Sequence, residues 1–183
     1  MKRYFSSDYH LGHANIIKYC NRPFSSLEEM NETIIKNHND RIKQEDEIYY
    51  LGDFCFKNSL GGKEGEGTPN KASEYLKRLN GKFIFIKGNH DRNNSLKIIT
   101  ESASINYGGK RIYLVHNPDF VNMEYDINFC GHIHQHWKFR RIRRGEKYTD
   151  CINVGVDCWD FKPKTFEELM SAYHRWKKEN DYK

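Results

Sequence analysis

Five short segments of the chain end in side chains suited to holding metal ions: Asp8-Tyr9-His10, Gly52-Asp53, Gly88-Asn89-His90-Asp91, His116 and Gly131-His132-Ile133-His134. Each follows an apolar run. In extended backbone, residues two apart project to the same side, so Asp8 with His10, and His132 with His134, can converge on one point. Imidazoles combined with carboxylates suit a borderline divalent cation such as zinc, manganese, nickel or iron. The glycines ahead of Asp53, Asn89 and His132 let the backbone turn sharply or come close to whatever is bound. Each segment alone has an ordinary explanation. Gly-Asp is a common turn pair, a strand histidine is more often a hydrogen-bonded core residue, and Asn-His-Asp can be a plain turn. The ordered set of five points to a metal site.

Strands must carry these groups. Lys2–Ser7, Glu47–Leu51, Lys82–Lys87, Arg111–Val115 and Ile127–Cys130 read as short buried strands, each delivering one cluster at its C-terminal end. Leu11–Asn21 reads as a turn and short helix that stops before Arg22-Pro23. Ser26-Leu27-Glu28-Glu29 and Thr165-Phe166-Glu167-Glu168 are capping-box patterns, opening helices to about Ile42 and Lys178. Leu27, Met30, Ile34 and His38 share one face of the first. Shorter helices are predicted over Ala72–Leu79 and Asn94–Ile99. Gly108-Gly109 makes a hairpin turn between Ser102–Tyr107 and Arg111–Val115. Trp137–Arg143 and Tyr148–Val156 form a second antiparallel pair. The Gly-rich, charged stretch Asn58–Asn70 reads as a mobile surface loop. Early alternation of strands and helices, followed by a strand-rich half, predicts an α/β sandwich with its site beyond the carboxyl ends of the strands.

The length of 183 residues suits one domain spanning 1–183. No apolar run is long enough to span a membrane, and the start lacks a signal-peptide core, so a cytoplasmic location is expected. Five cysteines without a Cys-x-x-Cys pair argue against a disulfide framework or thiolate zinc site. The net charge of +5 only hints at a polyanionic partner. Its densest part is Lys138, Arg140, Arg141, Arg143, Arg144 and Lys147, interleaved with Trp137, Phe139 and Tyr148. This hairpin reads either as a strip that tracks a nucleic-acid backbone or as a solvated hairpin with its aromatics packed on the core.

The ordered motifs from Asp8 to His134 resemble the signature of the metallophosphoesterase (calcineurin-like phosphoesterase) superfamily. Leu11–Phe24 adds a likeness to a subgroup of small stand-alone bacterial and phage phosphoesterases. The resemblance implies a four-layer α-β-β-α sandwich of two mixed sheets with two divalent metal ions at one edge, manganese being the expected metal and nickel, iron or zinc the alternatives. It implies Asp8, His10 and His134 as ligands of the first metal, Asn89, His116 and His132 of the second, and Asp53 as the bridge. It gives His90 the task of protonating the leaving oxygen and Asp91 that of orienting His90. Two cations about 3.5–4 Å apart clamp a phosphate and lower the pKa of a shared water towards ~7, so that the resulting hydroxide attacks phosphorus in line.

His13, Asn15 and Arg92 flank these motifs and, with Arg140 and Arg141, are candidate substrate contacts. For His13 and Asn15 the competing reading is a helix cap and loop packing; for Arg92 it is a solvated arginine. Three functions remain open: a phosphodiesterase acting on a nucleotide or nucleic acid, a phosphomonoesterase acting on a phosphoprotein or small metabolite, and a non-catalytic binding scaffold. A scaffold would have lost ligands or the histidine at position 90, and none is missing. No protein partner is inferred.

Overall fold

A computed structural model describes residues 1–56, 66–67, 70–91, 95–96 and 100–181. The expectations placed on Asn58–Asn70 and Asn94–Ile99 fall largely outside these residues, and Arg92 falls wholly outside them.

Two mixed sheets face each other. The first has the order β3 (Lys82–Ile86), β2 (Glu47–Leu51), β1 (Arg3–Ser6), β9 (Lys164–Thr165). Its three long strands are parallel and β9 is antiparallel. The second has the order β4 (Ser102–Tyr107), β5 (Lys110–Val115), β6 (Ile127–Cys130), β8 (Lys147–Asn153), β7 (Phe139–Arg144). Here β5, β6 and β8 run parallel, with antiparallel strands at both edges. Parallel strands put all their carboxyl ends on one side. That brings Asp8, Asp53, Gly88, His116 and Gly131 to the same edge of the sandwich.

Alternation along each strand assigns the faces. Phe5, Leu51 and Ile86 point to the second sheet and meet Ile112, Leu114, Ile127, Phe129 and Ile152. Tyr4, Ile48, Tyr50 and Phe85 point the other way and are covered by helices. These are α1 (Asn15–Tyr19), α2 (Leu27–Asn39) and α3 (Ala72–Leu76). The face of α2 is as its spacing predicts: Met30, Ile34 and His38 are buried, joined by Ile35. Ser26 caps α2 by accepting from the Glu29 amide, but the Glu29 carboxylate reaches the Ser25 amide instead of Ser26, so the box is not reciprocal. At Thr165 the box that opens α4 (Phe166–Glu179) is complete.

The two mixed sheets and the described helices agree with the expected α-β-β-α sandwich. Leu169, Met170 and Tyr173 of α4 belong to the cluster between the sheets, so α4 packs beside the first sheet on the inner face of the second. The outer face of the second sheet, with Val115, Cys130, Cys151 and Ile142, is covered by Val121 and Met123 from the loop after β5. No described helix is long and apolar enough to cross a membrane.

Candidate metal centre

The loops beyond β1 and β2 continue side by side after the strands end. The Asp8 amide donates to the Gly52 carbonyl (3.0 Å) and the His10 amide to the Asp53 carbonyl (3.1 Å). Within them the backbone is left-handed. Five of the seven candidate ligands have positive φ: Asp8 (60°), His10 (51°), Asp53 (56°), His132 (73°) and His134 (45°). Non-glycine residues rarely adopt this region, and a cluster of them marks strain held in place by the surrounding structure.

Two donor groups form. Asp8, His10 and His134 offer ligand atoms within 4.8 Å of one another, and so do Asp53, His116 and His132. Asn89 joins the second, its Oδ1 lying 3.0 Å from His116 Nε2 and 2.8 Å from His132 Nδ1. Asp53 stands between the groups. Its Oδ1 accepts from the His90 amide (2.9 Å), leaving Oδ2 at 3.5 Å from His10 Nε2 and 3.3 Å from His116 Nε2.

The site's backbone comes very close. A Cβ on Gly131 would lie 2.2 Å from Ser7 Oγ and 2.4 Å from Asp8 Oδ2; one on Gly88 would lie 2.2 Å from Asp53 Oδ1. Neither contact is possible for a side-chain carbon, so glycine is required at both positions for the carboxylates to sit where they do.

His10 Nε2 is buried without a hydrogen-bond partner, facing Asp53 and, at 3.9 Å, Asp8. Burial holds the His10 pKa well below its ordinary value, so the ring keeps a free lone pair. Burial also disfavours imidazolium at His116, but the Asp53 carboxylate outweighs it and raises the pKa to about 9. Burial opposes ionisation of Asp53 in turn, yet its contact with His116 holds that carboxyl below the usual range. Carboxylates that gather positive charge around a buried lone-pair donor suit a cation, and imidazole with carboxylate oxygen suits a divalent one. The residues therefore fit divalent metals.

A model of the calcineurin-like phosphoesterase superfamily domain matches residues 1–170. The chain belongs to the calcineurin-like phosphoesterase superfamily. That family implies a hydrolase of phosphate esters that uses divalent metal. This phosphoesterase is 38% identical, over 185 residues, to the uncharacterized protein MJ1445 of Methanocaldococcus jannaschii, with 96% of this chain and 93% of the relative covered. It is similar to the solved structure of AQ665, a protein of unknown function from Aquifex aeolicus: TM-score 0.66, 26% identity, 93% of this chain and 98% of that chain. An archaeal phosphodiesterase structure matches with TM-score 0.44 and 19% identity over 86% of each chain.

His13 and His90 lie beside the first donor group, their rings 5.7 Å and 5.3 Å from that of His10. His13 stacks on Phe56, and burial lowers its pKa to about 4. His90 is exposed, on the open side. Asn15 serves the start of α1, its amide on the Glu66 carbonyl.

The Asp91 carboxylate accepts from the amides of Asp53 (2.8 Å), Phe54 (3.0 Å) and Gly88 (2.9 Å). It thereby splices the loops after β2 and β3. The Arg141 guanidinium makes a two-pronged pair with buried Asp150 (2.7 and 2.9 Å) and lies over Tyr148. Arg140 is exposed on the same strand. The basic hairpin also points away from the ligands. Phe139 pairs with Ile152 at the site end, whereas Arg144 and Lys147 pair at the opposite end.

Sequence reasoning missed Ser7, whose hydroxyl donates to Asp8 Oδ2 at 2.5 Å, and the pair Arg22 and Asp157. Cys20 also lies within ligand distance of His134 and Asp157, but both Asp157 oxygens are engaged by Arg22. The Arg22-Pro23 step after α1 was visible only as a helix stop.

Proposed function

We propose that this phosphoesterase is a dinuclear, metal-dependent hydrolase of a small phosphodiester, nucleotide-sized, acting as one unit over 1–183. The position of Asp53 Oδ2 between His10 and His116 carries the reading, because a shared carboxylate keeps two cations close while offsetting their repulsion. Asp8, His10 and His134 would hold one ion, Asn89, His116 and His132 the other, with manganese the first metal to try. When bound, such a pair supplies Lewis-acid stabilisation of the phosphate and activation of a water.

The chain's own residues do the rest. The His90 amide anchors to Asp53 Oδ1, which leaves its imidazole on the open side to protonate the departing oxygen. The Leu51 carbonyl holds His116 Nδ1 at 2.6 Å and so turns Nε2 inward. Buried walls around Asp8, His10 and Asp53 exclude bulk water and strengthen every charge interaction within.

A cavity of about 300 Å³ opens beside Asn89 and His116, rimmed by Lys87, Asn117 and Phe120. Phe120 is 69% exposed, an apolar platform for the second ester substituent of a diester. Lys87 is paired with Glu101 at 2.8 Å, which suits a singly charged diester better than a doubly charged monoester. With the basic hairpin directed to the far end, a small diester fits better than a tracked polymer. A panel of bis-p-nitrophenyl phosphate, p-nitrophenyl phosphate and cyclic nucleotides, run with manganese, nickel and zinc in turn, tests this. Higher kcat/KM on diesters is expected; preference for the monoester would overturn the order.

A further inference from the structure

Behind the first donor group lies a buried ion pair. Arg22, 4% exposed, sends Nε to Asp157 Oδ1 (2.8 Å) and Nη2 to Asp157 Oδ2 (2.9 Å). The same guanidinium donates from Nη2 to the Asp8 carbonyl (2.6 Å) and from Nη1 to the Tyr9 carbonyl (2.9 Å). Asp157 Oδ2 in turn lies 2.9 Å from His134 Nδ1. One side chain thus fastens both the left-handed Asp8 backbone and, through Asp157, the ring of His134.

Taking the metal-centre reading as its basis, we propose that Arg22 and Asp157 are positioning residues for the first metal ion. Asp157 fixes His134 with its proton on Nδ1, which leaves Nε2 to face Asp8 and His10. Arg22 fixes Asp157 and the Asp8–Tyr9 turn together.

The chemistry demands this combination. A histidine ligand has two nitrogens, and the one it presents is set by what the other donates to. A carboxylate buried behind that ring is costly unless a cation and further hydrogen bonds compensate it. Arginine meets both needs with a rigid planar fork, whereas a lysine ammonium would have to leave either the carboxylate or the two carbonyls unserved. Positive φ at Asp8 (60°) and His134 (45°) persists only where surrounding contacts over-determine it. The Arg22 bonds to the Asp8 and Tyr9 carbonyls are such contacts.

Calorimetric titration of the full chain with manganese, metal stripped, tests the assignment. Asp157→Asn should weaken one of the two ions by about 10–100-fold and leave the other at its wild-type affinity. Arg22→Lys should do the same more mildly. Wild-type affinity for both ions in Asp157→Asn, or equal weakening of both, would overturn the proposal. A wild-type chain that takes up no manganese defeats the metal centre itself, a separate outcome. Should the variants not fold, nitrogen-15 spectra of the zinc-loaded wild type decide: His134 is expected with its proton on Nδ1 and metal on Nε2, and the reverse arrangement overturns the proposal.

Discussion

The Oδ2 atom of Asp53 stands 3.3 Å from Nε2 of His116. The same oxygen is 3.5 Å from His10 Nε2, so one atom touches both donor groups. Asp53→Asn keeps the shape and removes the charge. It should therefore release both metal ions together and lower kcat/KM on the order of 10³-fold. Metal content per chain, measured beside the kinetics, checks this. Retention of one tightly held ion would show that Asp53 serves a single group.

His10 and His116 belong to different groups, and their loss should separate the ions. In His10→Asn the Asp8–His134 group should weaken, whereas in His116→Asn the Asn89–His132 group should. Manganese titration of each variant is expected to show one affinity shifted by about 10–100-fold and one unchanged. Two affinities that always move in step would contradict the division.

Gly131→Ala places a carbon where Ser7 Oγ and Asp8 Oδ2 now sit. Overpacking of this kind costs about 1–3 kcal/mol, and here the yielding atoms are a candidate ligand and its hydroxyl donor. A fall in melting temperature accompanied by weaker binding of one ion is expected. A variant with both properties intact would mean that Asp8 tolerates a shift.

His38 gives a pH test away from the site. It is fully buried, shares a hydrogen bond with Tyr9 Oη (2.9 Å) and another with the Asn80 carbonyl (2.7 Å). Burial lowers its pKa to about 4. The unfolded chain then binds the extra proton first, so the stability this residue contributes is full above pH ~6.5 and is lost as pH falls towards 4. The difference amounts to about 3 kcal/mol at most. Urea melts of the wild type and His38→Gln at pH 7 and pH 4.5 should show a smaller pH effect in the variant. An equal pH effect in both would remove His38 from the acid sensitivity.

The five clusters were legible because each is a few contiguous residues at the end of an apolar strand, and parallel strands carry such ends to one edge. The need for glycine ahead of His132 and Asn89 was legible for the same reason, and the clashes at Gly131 and Gly88 match it. Arg22 and Asp157 were not, since 135 residues separate them and neither belongs to a strand-end motif. The pairing of Arg141 with Asp150 was not legible either, because the two face each other only through the β7–β8 register. The contact by which α4 is tied to β8, Tyr173 donating to Asp150 at 2.5 Å, was hidden too, since neither residue belongs to a motif.

Restoration of activity by metal tests the central claim most directly. The chain is stripped with a chelator and bis-p-nitrophenyl phosphate hydrolysis is followed as manganese is added back. No turnover is expected at the start, with activity rising to a plateau at two equivalents per chain. Full activity in the stripped protein, or a plateau at one equivalent, would contradict the dinuclear centre built on Asp53.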